Sequence, residues 1–148
     1  MANSTQYAKT VAASPSKIST TELHGRVRVA YADFTADAAQ ETINMFKLPD
    51  GARIIGGRLN HAALGSSTTV SVGHAAYTQA DGTVVALDVD EYKAAAASTS
   101  AIGSNIAATT ALGENSLVDA PDGLIITATT AGANATGLIT VQMTYVLD

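Results

Sequence analysis

The sequence predicts an all-β protein: a single-domain β-sandwich, for which a jelly roll is one possible strand order, with one short helix and an extended N-terminal arm. Three observations support this prediction. Apolar residues recur with period two in several short segments, turn residues separate these segments, and no βαβ alternation is present. A length of 148 residues fits one compact domain. We expect a polar arm over residues 1–24, without sustained periodicity, and the sandwich domain over residues 25–148.

The first predicted strand begins after Gly25. Its apolar and its remaining side chains alternate: Val27, Val29 and Tyr31 against Arg26, Arg28 and Ala30. Such alternation is typical of a half-buried strand. We therefore expect the Val–Val–Tyr face to point into the core and the arginine face to point to solvent.

Three further strands are predicted before the middle of the chain. The first covers residues 42–48 and ends in the turn Pro49-Asp50-Gly51. The second covers residues 52–64, where Gly56-Gly57 indicates a bulge or a close backbone approach. The third covers residues 68–76 and is expected to form a hairpin with the second.

One segment has the signals of a helix. Asp88 suits the N-cap position before residues 89–97, and Asp90 and Glu91 lie in the first turn, where the helix dipole favours carboxylates. Four alanines in the same segment favour helix. We therefore predict a helix over residues 89–97.

The C-terminal third returns to strand patterns. Residues 124–129 are apolar on both faces at their start, which is typical of a central strand. The last strand has the clearest alternation in the chain. Its apolar face carries Ile139, Val141, Met143, Tyr145 and Leu147.

Composition excludes several function classes. The net charge is −5 and only 14% of the residues are charged, so we expect no nucleic-acid partner. The chain has no cysteine, which excludes disulfides and thiolate metal sites. No apolar run approaches the roughly 18 residues of a membrane span, and the N-terminus has no signal-peptide core. We expect synthesis in the cytoplasm and no membrane association.

No group of residues predicts catalysis, and we expect a protein that is not an enzyme and has no cofactor. His61 with Ser66 or Ser67 lacks the glycine pattern of a nucleophile elbow, and His61 is expected to face solvent or an interface. Asp88, Asp90 and Glu91 lack the loop glycine and the distal acid of an EF-hand, so we predict no metal site there.

The arginines are the candidate docking residues. All of them lie in the first 58 residues: Arg26, Arg28, Arg53 and Arg58. Arg26 and Arg28 project from one face of the first strand. They can form a docking patch for an acidic partner, or they can be a solvated edge whose charges prevent edge-to-edge pairing. The sequence leaves these two interpretations open.

Two parts of the chain carry a family resemblance. The first combines residues 47–55 (KLPDGARII) with residues 63–73 (ALGSSTTVSVG), and the second is residues 128–148 (ATTAGANATGLITVQMTYVLD). Both resemble small virion proteins that coat the capsids of tailed phages. The resemblance to this family of decoration, or cement, proteins runs from about Gly25 to the C-terminus. It implies a virion location, the major capsid protein as partner, and assembly as a homotrimer that bridges neighbouring capsid proteins. The alternatives are another virion part, such as a head-fibre base, a neck protein or a tail protein, and a displayed carbohydrate-binding module.

Overall fold

The computed structural model describes residues 25–37 and 40–147 of the chain. The predicted arm over residues 1–24 lies outside the described residues. Strands account for most of the described chain, with a single 3-10 turn at Thr110–Leu112. In chain order the strands are β1 (Arg26–Ala36), β2 (Thr42–Leu48), β3 (Arg53–His61), β4 (Thr68–His74), β5 (Tyr77–Thr78), β6 (Val84–Val85), β7 (Asp88–Ala97), β8 (Ile102–Ile106), β9 (Leu124–Gly132) and β10 (Gly137–Leu147).

Two four-stranded antiparallel sheets form a sandwich. Sheet A has the order β1-β10-β3-β8 and sheet B has the order β2-β9-β4-β7, while β5 and β6 form a separate short ribbon. This is the strand order of a jelly roll. The predicted all-β sandwich is therefore confirmed. The predicted hairpin of β3 with β4 is wrong, because the loop between them crosses from sheet A to sheet B.

The core lies between the two sheets. Its large side chains are fully buried: Leu48, Ile54, Leu59, Leu64, Val70, Val72, Ile106, Ile126, Ile139, Val141 and Met143. Burying a side chain of this size contributes about 1.5–3 kcal/mol.

Strand β10 confirms the clearest sequence pattern. It lies between β1 and β3, with hydrogen-bonded neighbours on both sides. Ile139, Val141 and Met143 are fully buried, and Tyr145 and Leu147 pack against the core from the end of the strand.

The predicted orientation of β1 is wrong. Val27, Val29 and Tyr31 are 63%, 62% and 60% exposed, so the Val–Val–Tyr face points to solvent. The inner face instead presents Ala30 and Phe34, which pack against the core. The alternation is real, but the more apolar face lies outside.

The predicted helix over residues 89–97 is also wrong, because this segment is strand β7. Tyr92 is 4% exposed and belongs to the core, and β7 pairs with β4 through two register shifts. The Asp88 carboxylate accepts a hydrogen bond from the backbone N–H of Asp90 at 3.0 Å, the type of bond that an N-cap makes, but the chain continues as a strand. Helix propensity is overridden by pairing and core packing.

The bulge predicted at Gly56-Gly57 is confirmed. β3 has one extra residue opposite Thr144 and Tyr145 of β10, which shifts the register. A Cβ atom at Gly57 would lie 2.5 Å from the backbone oxygen of Gln142, so the close backbone approach requires glycine.

Candidate interaction surfaces

Among residues 25–37 and 40–147, strand β1 is an edge strand of sheet A and carries the most exposed apolar row. The row consists of Val27, Val29 and Tyr31. In the neighbouring strand, Val146 lies directly opposite Val27, and Gln142 lies opposite Tyr31. Opposed residues of an antiparallel pair share one face. The row therefore forms an apolar corner on the outer face of sheet A.

Arg26 and Arg28 alternate with this row on the same strand. They lie opposite Leu147 and Tyr145 in register, on the inner side of the sheet, and both are exposed. Both guanidinium groups therefore lie at the open end of the sandwich, beside the free edge of β1, where a partner can reach them.

Arg53 lies on the outer face of sheet A, opposite Val146. Its Nη1 donates a hydrogen bond to the backbone oxygen of Asn115 at 2.7 Å, and its Nε is buried without a hydrogen-bond partner among the described residues. Arg53 is therefore tied to the loop that follows the 3-10 turn.

Arg58 lies on the same outer face, opposite Gln142. Its Nε donates to Oδ1 of Asn60 at 2.9 Å, and its guanidinium covers Gly103, where a Cβ would lie 2.5 Å from Nη2. The four candidate docking residues are thus divided: Arg26 and Arg28 are exposed at the β1 edge of the described residues, and Arg53 and Arg58 are hydrogen-bonded to neighbouring groups.

A shallow depression of about 500 Å³ opens on the outer face of sheet A at the bulge. Gly56 and Gly57 line it, and its polar lining is Arg58, Asn105, Glu114, Gln142 and Thr144. Among residues 25–37 and 40–147, no three His, Asp or Glu residues are grouped as a metal site would require.

His61 does not face solvent or an interface as expected. It is 6% exposed, and its Nδ1 lies 2.8 Å from the backbone oxygen of Ala62, to which it can donate a hydrogen bond. Ser66 and Ser67 are exposed in the loop between β3 and β4. The histidine is therefore a core residue with a local hydrogen bond.

Acidic residues gather on the opposite side of the sandwich, around β7 and the β5–β6 ribbon. The Asp119 carboxylate accepts a hydrogen bond from the N–H of Ala80 at 3.2 Å. Burial, followed by the negative charges of Asp119 and Glu91, raises the pKa of Tyr77.

Two more carboxylates extend this acidic side along β7. The pKa of Asp88 is lowered mainly by the hydrogen bond that its carboxylate accepts from the backbone N–H of Asp90. A hydrogen bond with the Asp88 side chain, then desolvation and the Asp88 charge, raise the pKa of Asp90. The two carboxylates are therefore close enough to influence each other, and Asp90 is exposed.

The fold is similar to that of chains in three solved phage capsids. A chain of the cyanophage Pam1 capsid asymmetric unit is 21% identical, with 84% of this chain and 86% of that chain covered and a TM-score of 0.61. A chain of the Ralstonia phage GP4 capsid is 20% identical, with the same coverages and a TM-score of 0.63. A chain of the acid-stable capsid of the Helicobacter pylori bacteriophage KHP30 is 16% identical, with 82% and 87% covered and a TM-score of 0.56. These similarities establish the fold.

No family model matches the chain, and no curated protein matches it. Within the described residues, no helix has the length and the apolar character needed to cross a membrane.

Proposed function

We propose that this protein is a structural part of a tailed-phage virion. In this proposal it is made in the host cytoplasm, binds the outer surface of the capsid, and stabilises the assembled shell by bridging major capsid proteins. It acts without catalysis, cofactor, nucleic acid or membrane.

One observation carries the proposal. The jelly roll is similar over more than four-fifths of its length to chains in three phage capsids, and more than four-fifths of each of those chains is covered as well. The similarity therefore extends over most of each of those chains and is not confined to one motif. A jelly roll hosts many functions, so binding to the shell has to be measured directly.

The proposed action is thermodynamic. A protein that binds the assembled shell and not its separated subunits stabilises the assembled state by mass action. Many weak contacts, repeated over the shell, then oppose the internal pressure of the packaged genome. Such a protein needs a rigid domain and exposed contact surfaces, and both are present here: a fully buried core and the exposed row Val27, Val29 and Tyr31.

Binding to shells tests the proposal. We expect the purified protein to co-sediment with expanded, empty capsids of the parent phage at a copy number close to that of the major capsid protein. Gel densitometry of the washed pellet gives the ratio, and shells incubated with serum albumin are the control. Binding to free major capsid protein should be weaker, because the bridging site exists only in the shell.

The alternatives give different results in the same measurement. A head-fibre base, a neck protein or a tail protein would be present at a few copies per virion. A displayed carbohydrate-binding module would bind immobilised glycans without any shell. No binding to expanded shells would refute the capsid-surface role.

The resemblance noted above also supports self-association as a homotrimer. Analytical ultracentrifugation at micromolar concentration, without shells, should give a species of three times the 15.0 kDa chain mass. A single species of 15.0 kDa would refute self-association and leave the shell-binding proposal intact.

A further inference from the structure

Within the described residues, the edge strand β1 presents exposed apolar side chains on its outer face and exposed arginines on its inner side. We name it the basic edge: Arg26, Val27, Arg28, Val29 and Tyr31, all exposed. An exposed edge strand with large apolar side chains is either an interaction site for another protein or a site of aggregation. The first acid along the strand is Asp33, beyond Tyr31.

The opposite side of the sandwich presents apolar and acidic groups together. We name it the acidic edge: Asp81, Val84, Leu87, Asp90, Glu91 and Asp119. Val84 is 74% exposed and Leu87 is 51% exposed. Lys93 is the only lysine or arginine of the chain after Arg58, so little positive charge opposes these carboxylates.

The two edges cannot meet within one molecule. β1 packs beside β2 at one side of the sandwich, and β7 is the last strand at the other side, with two strands between the edges in each sheet. Three strand spacings separate them by about 14 Å. Each edge therefore needs its complement from another molecule.

The edges are complementary in charge and both contain exposed aliphatic side chains. A contact between different surfaces of identical chains is heterologous, and such contacts form a closed ring when the rotation between neighbours allows it. Complementary charges fix the register of such a contact and oppose pairing of two like edges.

We propose that the basic edge of one copy binds the acidic edge of the next copy, head to tail, and that this contact builds the oligomer. The inference rests on the self-association proposed above. The proposal identifies the basic edge and the acidic edge as the two sides of the contact. The contact is therefore heterologous, and the β1 edges of two copies do not pair with each other.

A charge swap in the full-length chain tests the assignment by sedimentation equilibrium without shells. The first variant is Arg26→Glu with Arg28→Glu, and the second is Asp90→Lys with Glu91→Lys. Each should weaken self-association about a hundredfold or more, because like charges then face each other. All four substitutions in one chain should restore self-association, because the charges of both edges are then reversed and are again complementary.

The control adds negative charge away from both edges, at the exposed loop residues Ser66 and Thr99, as Ser66→Glu with Thr99→Glu. It should self-associate like the unmodified chain. Circular dichroism of each variant verifies folding, which matters most for the second variant because Glu91 is half-buried, whereas Arg26, Arg28 and Asp90 are exposed. In unmodified protein, 1 M salt should weaken the association, because exposed charges are then screened within about 3 Å.

Four results would overturn the assignment. If only the arginine variant dissociates, the acidic edge is not the partner of the basic edge. If neither variant dissociates, or if the fourfold variant stays dissociated, the two edges are not partners. If the unmodified chain is monomeric, self-association itself fails, and this is distinct from failure to bind shells.

Discussion

Val141→Asp should abolish folding. Val141 is fully buried on β10, between β1 and β3. The substitution removes an apolar contact of about 1.5–3 kcal/mol and places an unpaired charge in the core, which adds several kcal/mol. The total stability of a domain is about 5–15 kcal/mol. We expect loss of the cooperative urea transition followed by circular dichroism.

The matched control is the next residue, Gln142→Asp, on the outer face of β10. Gln142 is half-buried and lies opposite Arg58, so a carboxylate there gains a neighbouring cation and should change the free energy of unfolding by less than about 1 kcal/mol. Thr140→Asp is a poorer control because Thr140 lies opposite Asp33, and like charges directly opposite destabilise a sheet. Equal effects of Val141→Asp and Gln142→Asp would contradict the assigned faces of β10.

Gly73→Ala should destabilise the protein by about 3 kcal/mol or more, at or above the upper end of overpacking costs. A Cβ at Gly73 would lie 2.0 Å from the backbone oxygen of Asp88 and 2.7 Å from the backbone nitrogen of Asp90. Backbone atoms cannot rotate away as a flexible side chain can, so the start of β7 must move off β4. Chemical denaturation measures the loss.

Gly82→Ala is the comparison for this prediction. Gly82 has a φ of +87°, but no atom lies within 4 Å of a Cβ placed there. Its substitution should cost about 1–2 kcal/mol, from backbone strain alone. If Gly73→Ala were no more damaging than Gly82→Ala, close packing of β7 over β4 would not be the reason for glycine at position 73.

The alternation of apolar and polar residues predicted strands β2 and β10 correctly. The bounds of β2 follow from its alternation. The inward face of β10 follows as well, because the two faces of this strand differ strongly from each other in polarity. The bulge at Gly56-Gly57 was also predictable, since paired glycines inside a strand have few other uses.

The errors arose where tertiary structure overrides local preference. Alternation in β1 shows two faces but does not show which one is inside, and the choice of the more apolar face was wrong for a strand at a sheet edge. β7 has alanines and an N-cap signal, yet Tyr92 and the ladder with β4 keep it extended. Its bulges remove the period of two that would have indicated a strand.

The sequence identified the four candidate docking arginines together, but it could not distinguish their different environments. Their sequence positions indicated that positive charge is concentrated in the first 58 residues, but not that Arg53 and Arg58 are hydrogen-bonded to neighbouring groups while Arg26 and Arg28 are exposed at the β1 edge. The acidic edge was not predicted, because Asp90 and Glu91 were assigned to a helix and Asp119 lies far away in sequence.

The position of β10 has a consequence for how the chain folds during synthesis. Sheet A has its last-made strand in second place, between β1 and β3, so β1 has no strand to pair with until residues 137–147 have left the ribosome. The four strands of sheet B, β2, β9, β4 and β7, all precede β10 in the chain, although β9 ends only at Gly132. Pairing of β10 with β1 and β3 is therefore the step that closes sheet A and completes the core. Non-local pairing of this kind folds in milliseconds to seconds, and until then the apolar inner side of sheet B is open to solvent and to other nascent chains.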